Sequence, residues 1–300
     1  MLDNDTQIKS SNRTQVSKGP HLSIQNLKQV PGNIFKQATL IILALMTLFP
    51  LYFMFNSSFK TRAEFIDNLL GLPAFFTFQN YASVIQHPHL FTWFKNSFIL
   101  TASSVVLATA VSIPAAFAFA KMEFKGKDTL FNLITPLMVI PPIVMIIPMF
   151  IIIRTFRLIN TIWGPVVIYI GLMIPFTIYM LRNFFITIPR EIEEAALIDG
   201  ASTLQILTSI YIPLSRPALI TSMLVNGVWV WNELLIALVF LQTDELRTLV
   251  VGISVSLQKR FTLDVPALMA GLAIVTIPMI LLYILGQRAL VRGLVTGYDK

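Results

Sequence analysis

The stretch LINTIWGPVVIYIGLMIPFTIYML, Leu158 to Leu181, runs 24 residues without a charge and is closed by Arg182. A hydrocarbon core is crossed by about 20 helical residues, so this run is long enough to span. Four further charge-free runs surround it: Gln37–Phe59 and Val265–Gln287, 23 residues each, and Asn96–Ala120 and Thr129–Ile153, 25 each. A sixth, Pro217–Thr243, holds 27 residues and one charge, Glu233. Backbone groups in lipid must be satisfied within the segment, and these lengths suit helices rather than the roughly 10-residue alternating strands of a barrel. The reading is an all-α integral membrane protein with six transmembrane helices.

Composition agrees. Of 300 residues, 55% are hydrophobic and 12% charged, with a mean hydropathy of +0.74; soluble domains carry about 25% charge. The chain has no cysteine and three histidines, which argues against zinc, iron–sulfur or thiol chemistry. His87-Pro88-His89 lacks a nearby carboxylate or thiol and reads as loop, so no metal site is expected. The net charge of +7 reads as topology and attraction to anionic lipid headgroups, not as nucleic-acid binding. Six crossings place both termini on one side. With that side cytoplasmic, 14 Lys and Arg lie inside against 8 outside, in the direction of the positive-inside rule.

The expected organisation is a polar cytoplasmic tail over 1–36, a first span over 37–59 and an extracytoplasmic loop over 60–95. A core over 96–287 and a cytoplasmic tail over 288–300 follow. Prolines recur inside the apolar runs, most densely at Pro141-Pro142 with Pro148; each removes a helical hydrogen bond. There we expect a bent bundle that encloses a cavity.

The loop 182–216 is more than a connector. Pro189 suits a helix's first turn, and Glu191, Glu193 and Glu194 sit where the helix dipole favours acids. Ala195 and Ala196 leave a smooth face for close approach by another protein. Gly200 suits a left-handed helix end, and Ser202 or Thr203 a cap for a second helix carrying Leu204, Leu207, Ile210 and Tyr211, stopped by Pro213. The pattern predicts a helix–turn–helix whose apolar face a partner covers.

Glu194-Ala195-Ala196, three residues, Gly200, nine residues, Ile210, one residue and Ile212-Pro213 resembles the EAA loop of ABC-importer permeases, with isoleucine in place of leucine before the proline. Phe119-Ala120-Lys121, Asn160-Thr161-Ile162-Trp163-Gly164, Trp231-Asn232-Glu233 and Val291-Arg292-Gly293-Leu294 extend the resemblance to carbohydrate-uptake permeases of the maltose-transporter type. The end, Gly297-Tyr298-Asp299-Lys300, departs from that group. The resemblance implies the smaller permease of a type I importer in a bacterial-type cytoplasmic (inner) membrane. It implies a homologous second permease, two ABC ATPase subunits and an extracytoplasmic solute-binding protein as partners.

It also implies that ATP and Mg are held by the partner ATPases and no cofactor by this chain. Gly126-Lys127-Asp128 lacks the upstream glycine and the Ser/Thr of a phosphate-cradling loop, so no enzyme activity is expected of this chain. On this reading Glu193, Glu194, Ala195, Ala196, Asp199, Gly200, Leu204, Leu207, Ile210 and Pro213 carry ATPase coupling. Asn226, Trp229, Asn232 and Glu233 are the candidates for the substrate path. Aromatic and amide groups suit sugar rings and hydroxyls, and a carboxylate in a span is expected to face water or a polar partner. Two alternatives stand beside a sugar importer. One is an importer of an amino acid, peptide or polyamine. The other is an ion-coupled secondary transporter using Glu233, which leaves the EAA loop without a role.

Overall fold

The computed structural model describes residues 24–260 and 264–295; the start of the expected N-terminal tail and the end of the C-terminal one lie outside them. The chain divides into two units, Met1–Tyr52 and Phe53–Lys300. The first contains most of α1, Ile24–Ser58, whose Lys36–Ser58 portion is apolar enough to span.

In the second unit α2 (Arg62–Asp67) and α3 (Gln79–Ile85) shape the loop after the first span. Then come α4 (Leu90–Lys121), α5 (Lys127–Ile134), α6 (Pro142–Thr155) and α7 (Trp163–Thr187). The segment 182–216 forms α8 (Arg190–Ile198), α9 (Thr203–Ile206) and α10 (Ile212–Leu214). Last are α11 (Arg216–Asn232), α12 (Leu235–Phe240), α13 (Leu249–Arg260) and α14 (Val265–Val295).

Among the described residues, four helices pass as spans: the end of α1, α4, α7 and the first 20 residues of α14. Of the six expected spans, four are matched by single helices, or five with the bent pair counted as one, and two of the runs are interrupted. The run 129–153 is a broken pair, Lys127–Val139 and Pro142–Thr155, bent by 106°. The cause is local: Pro142 holds Pro141 in extended backbone, φ −64° and ψ 130°, because a residue before proline is kept out of the helical region. A cavity of about 290 Å³ lies beside the bend, lined by Leu137, Ile140, Met145, Met149, Gly171 and Pro175 among others. The run 217–243 is split at Glu233 into α11, of 17 residues, and α12, of 6. At about 1.5 Å per residue, α11 by itself falls short of a hydrocarbon core.

The packing centre is α4 against α7. Ser104, Ala108, Ser112 and Ala116 on α4 are all fully buried; at four-residue spacing they form one smooth stripe that lets the larger Tyr169, Leu181 and Phe185 of α7 approach closely. Small residues serve membrane helix pairs this way because lipid tails supply no hydrophobic drive for association.

The segment 244–260, between the last two apolar runs, is clamped onto the start of α4. Trp93 Nε1 donates to the Asp244 carbonyl at 2.6 Å, and Asn96 Nδ2 to those of Glu245 (2.7 Å) and Arg247 (3.0 Å). The Leu249 N–H donates to Ser97 Oγ at 2.8 Å. Gly252 of α13 rests on the indole of Trp93 with no room for a Cβ. Trp93 is buried and held by its own hydrogen bond, so Gly252→Ala should destabilise the protein by about 1–3 kcal/mol through overpacking. A lower melting temperature of the detergent-purified chain is the expected reading; an unchanged one would show that the indole yields.

Candidate functional site

The loop 182–216 folds as two short helices around a defined turn. Pro189 precedes α8 in extended backbone, φ −56° and ψ 140°, and Glu191 and Glu193 lie in its first turn. The helix ends with Gly200 at φ +83°. The Gly200 N–H donates to the Leu197 carbonyl at 3.0 Å and the Ala201 N–H to that of Ala196 at 2.9 Å, the two bonds of a Schellman end. Ser202 then caps α9: its Oγ accepts from the Gln205 N–H, and Gln205 Oε1 accepts from the Ser202 N–H at 2.8 Å. This reciprocal box satisfies two donors that a helix start leaves orphaned. Between α9 and α10 the backbone widens into a π turn, Leu207–Tyr211, in which the Ile212 N–H reaches the Leu207 carbonyl. Pro213 accounts for the widening, since it has no N–H to return and its ring crowds the preceding turn.

The expected coupling residues separate into two groups. Glu194, Ala195, Asp199, Gly200 and Leu204 are exposed. Leu204 is 69% exposed, and Ile198, which the sequence reading passed over, is 86% exposed. Glu193 is turned inward, Ala196, Ile210 and Pro213 are half-buried, and Leu207 is buried. The single docking face expected of Leu204 and Leu207 is therefore split. The inward stripe of Ile206, Leu207 and Tyr211, with Ile210, joins a core containing Phe117, Leu181 and Phe185, which leaves Leu204 outside its edge.

Tyr211 fixes this arrangement. Its ring meets Phe117 edge-on at 4.9 Å and Phe185 at 5.5 Å, and its hydroxyl donates to Glu193 Oε2 at 2.9 Å. Burial, then the hydrogen bond to Glu193, pushes the phenol well above its ordinary pKa, so it stays protonated and donating. Lys121, at the end of α4, lies over the same ring at 5.5 Å and donates to the Ile188 carbonyl at 2.7 Å. Arg182 at the end of α7 covers the Phe131 ring at 4.1 Å and donates to the Phe119 carbonyl at 3.3 Å.

The four candidates for the substrate path do not form one cluster. Glu233 stands at the break between α11 and α12 and finds polar partners there. Its carboxylate accepts from the N–H groups of Ile236 (2.9 Å) and Ala237 (3.1 Å), and from the Tyr169 hydroxyl at 2.5 Å. Trp229 lies edge-on to Tyr169 at 5.7 Å and belongs to this group. Asn226 is buried elsewhere, donating to Thr177 Oγ1 at 2.9 Å. Asn232 is exposed and bonds back to the Val228 carbonyl at 2.8 Å. Asn160, at φ +56° and quoted above only for the resemblance, holds the end of α12. Its N–H donates to the Phe240 carbonyl at 2.9 Å, and its Oδ1 accepts from the N–H groups of Gln242 (3.0 Å) and Thr243 (3.1 Å). His87 packs on the Trp93 ring at 4.5 Å, and its Nδ1 accepts from the His89 N–H at 3.3 Å. Among the described residues no group of three metal-ligating side chains occurs.

A bundle of apolar helices with a capped helix–turn–helix projecting from the ends of two of them defines a membrane permease subunit. The sequence pattern of the binding-protein-dependent transport system inner membrane component family matches residues 108–296, and the chain belongs to that family. It is 38% identical over 264 residues to the ABC transporter permease protein ORF2 of Caldicellulosiruptor sp. (strain Rt8B.4), covering 87% of this chain and 95% of that protein. It is 30% identical over 270 residues to the diacetylchitobiose uptake system permease protein DasC of Streptomyces coelicolor, covering 90% and 98%. A crystal structure of a bacterial ABC transporter involved in the import of the acidic polysaccharide alginate superposes with a TM-score of 0.75 at 27% identity, covering 87% of this chain and 97% of that chain.

Proposed function

We propose that this chain is half of the pathway of an ATP-driven importer that moves a neutral sugar, oligosaccharide or sugar derivative inward. It pairs with a homologous permease, receives solute from an extracytoplasmic binding protein, and is driven by two ATPase subunits that hold ATP and Mg. Both termini lie in the cytoplasm, with α11 and α12 together completing the sixth crossing. The observation that carries this reading is the α8–Gly200–α9 unit. It is rigidly capped, yet it leaves Leu197, Ile198 and Leu204 exposed beside the small side chain of Ala195. An ATPase groove supplies the cover that such a face needs.

Cargo class rests on the relatives, whose names concern diacetylchitobiose and alginate. Alginate is acidic, but Asn226, Trp229, Asn232 and Glu233, the candidates for the substrate path, include a carboxylate and no Lys or Arg, so a neutral polyhydroxyl solute suits them better. Vesicles reconstituted with the four kinds of subunit should take up labelled oligosaccharide only with ATP and the loaded binding protein, and should continue after the proton gradient is collapsed. Uptake that follows an ion gradient without ATP would overturn the mechanism. A binding protein stabilised against heat only by peptides or polyamines would overturn the cargo.

A further inference from the structure

We propose that Tyr211 is a positioning residue: by its hydrogen bond to Glu193 it ties the ATPase-facing helix α8 to spans α4 and α7, so that movement of α8 is delivered to those spans. The inference rests on the docking role given to α8 above.

The geometry carries it in three steps. The Tyr211 ring is fully buried between Phe117 of α4 and Phe185 of α7, at 4.9 and 5.5 Å, and therefore moves only with them. Its hydroxyl leaves that core and donates to Glu193 at 2.9 Å, one residue before the exposed Glu194. Glu193 is thus the one acidic side chain of α8 with a hydrogen bond to the membrane-side core among the described residues. The covalent connections are the short extended link at 188–189 and the capped turn at 199–202; the Tyr211–Glu193 bond adds a third tie, from the core directly to the body of α8. Lys121 steadies the first of them through the Ile188 carbonyl at 2.7 Å. The π turn at 207–211 aims the phenol, because it shifts the register of Tyr211 relative to a regular helix.

The test uses the full transporter in proteoliposomes and reads solute moved per ATP hydrolysed, together with subunit co-purification and melting temperature. Tyr211→Phe keeps the ring and removes the hydroxyl. It should co-purify with the ATPase and melt near the wild-type temperature, while solute per ATP falls about ten-fold, the scale of one charge-assisted hydrogen bond. Glu193→Ala should do the same, Glu193→Gln should retain most coupling because an acceptor oxygen remains, and the double variant should be no worse than either single one. Unchanged solute per ATP in Tyr211→Phe and Glu193→Ala, or additive losses in the double variant, would overturn the proposal. Ile198→Asp separates the two readings. It should abolish co-purification, and normal co-purification would remove the docking role itself, whatever the Tyr211 variants do.

Discussion

Glu233→Ala is expected to give the largest loss of stability of any single change at the intramembrane site. The carboxylate ends α11 and starts α12 by accepting from Ile236 and Ala237, and it also takes the hydroxyl of the buried Tyr169 at 2.5 Å. Removing it strands three donors in the membrane region, where each unsatisfied buried group costs about 1–3 kcal/mol; a total of about 3 kcal/mol or more follows, less whatever entering water recovers. Glu233→Gln keeps an oxygen but turns an N–H₂ toward the remaining donors, so it should fall between alanine and wild type. Tyr169→Phe removes one donor and leaves the backbone bonds intact, so about 1 kcal/mol is expected. Thermal unfolding of the purified chain should rank the variants in that order. A Glu233→Ala protein that melts with wild type would mean that the break between α11 and α12 is not held by this side chain.

Gly200→Val should have the largest effect on transport. The backbone at 200 has φ +83°, and no heavy atom lies within 4 Å of where a Cβ would stand. The cost is therefore conformational, about 1–2 kcal/mol for a residue with a Cβ forced left-handed. The chain relieves it by opening the turn, which breaks the hydrogen bonds of Gly200 and Ala201 to Leu197 and Ala196 and misdirects α8 against its partner. Uptake and stimulation of the ATPase should fall together while the spans still fold. Gly200→Asn, which visits the left-handed region more readily, should keep much of both. Normal uptake in Gly200→Val, with the subunits assembled, would mean that the angle between α8 and α9 does not matter.

The membrane class, the position of four of the six apolar runs and the turn at Gly200–Ser202 were all readable in the chain. Each rests on local physics. A long uncharged run must become a helix in lipid, and a glycine followed by a Ser-x-x-Gln cap has few other conformations to adopt. The bend at Pro141-Pro142 was also readable as a place, though its 106° was not. What the tertiary structure decided is which side each residue faces. In a helix whose lipid-facing and protein-facing surfaces are both apolar, hydropathy has no period to read. The four-residue stripe Ser104, Ala108, Ser112 and Ala116, which the sequence reading did not single out, marks close approach rather than polarity. Glu193 and Glu194 are chemically alike and adjacent; only the Tyr211 hydroxyl, 18 residues away, turns one inward and leaves the other for a partner. Trp93, Asn96 and Asn160 clamp their segments by bonding mainly to main-chain atoms, and main-chain atoms are the same at every position, so those partners leave no mark in the sequence.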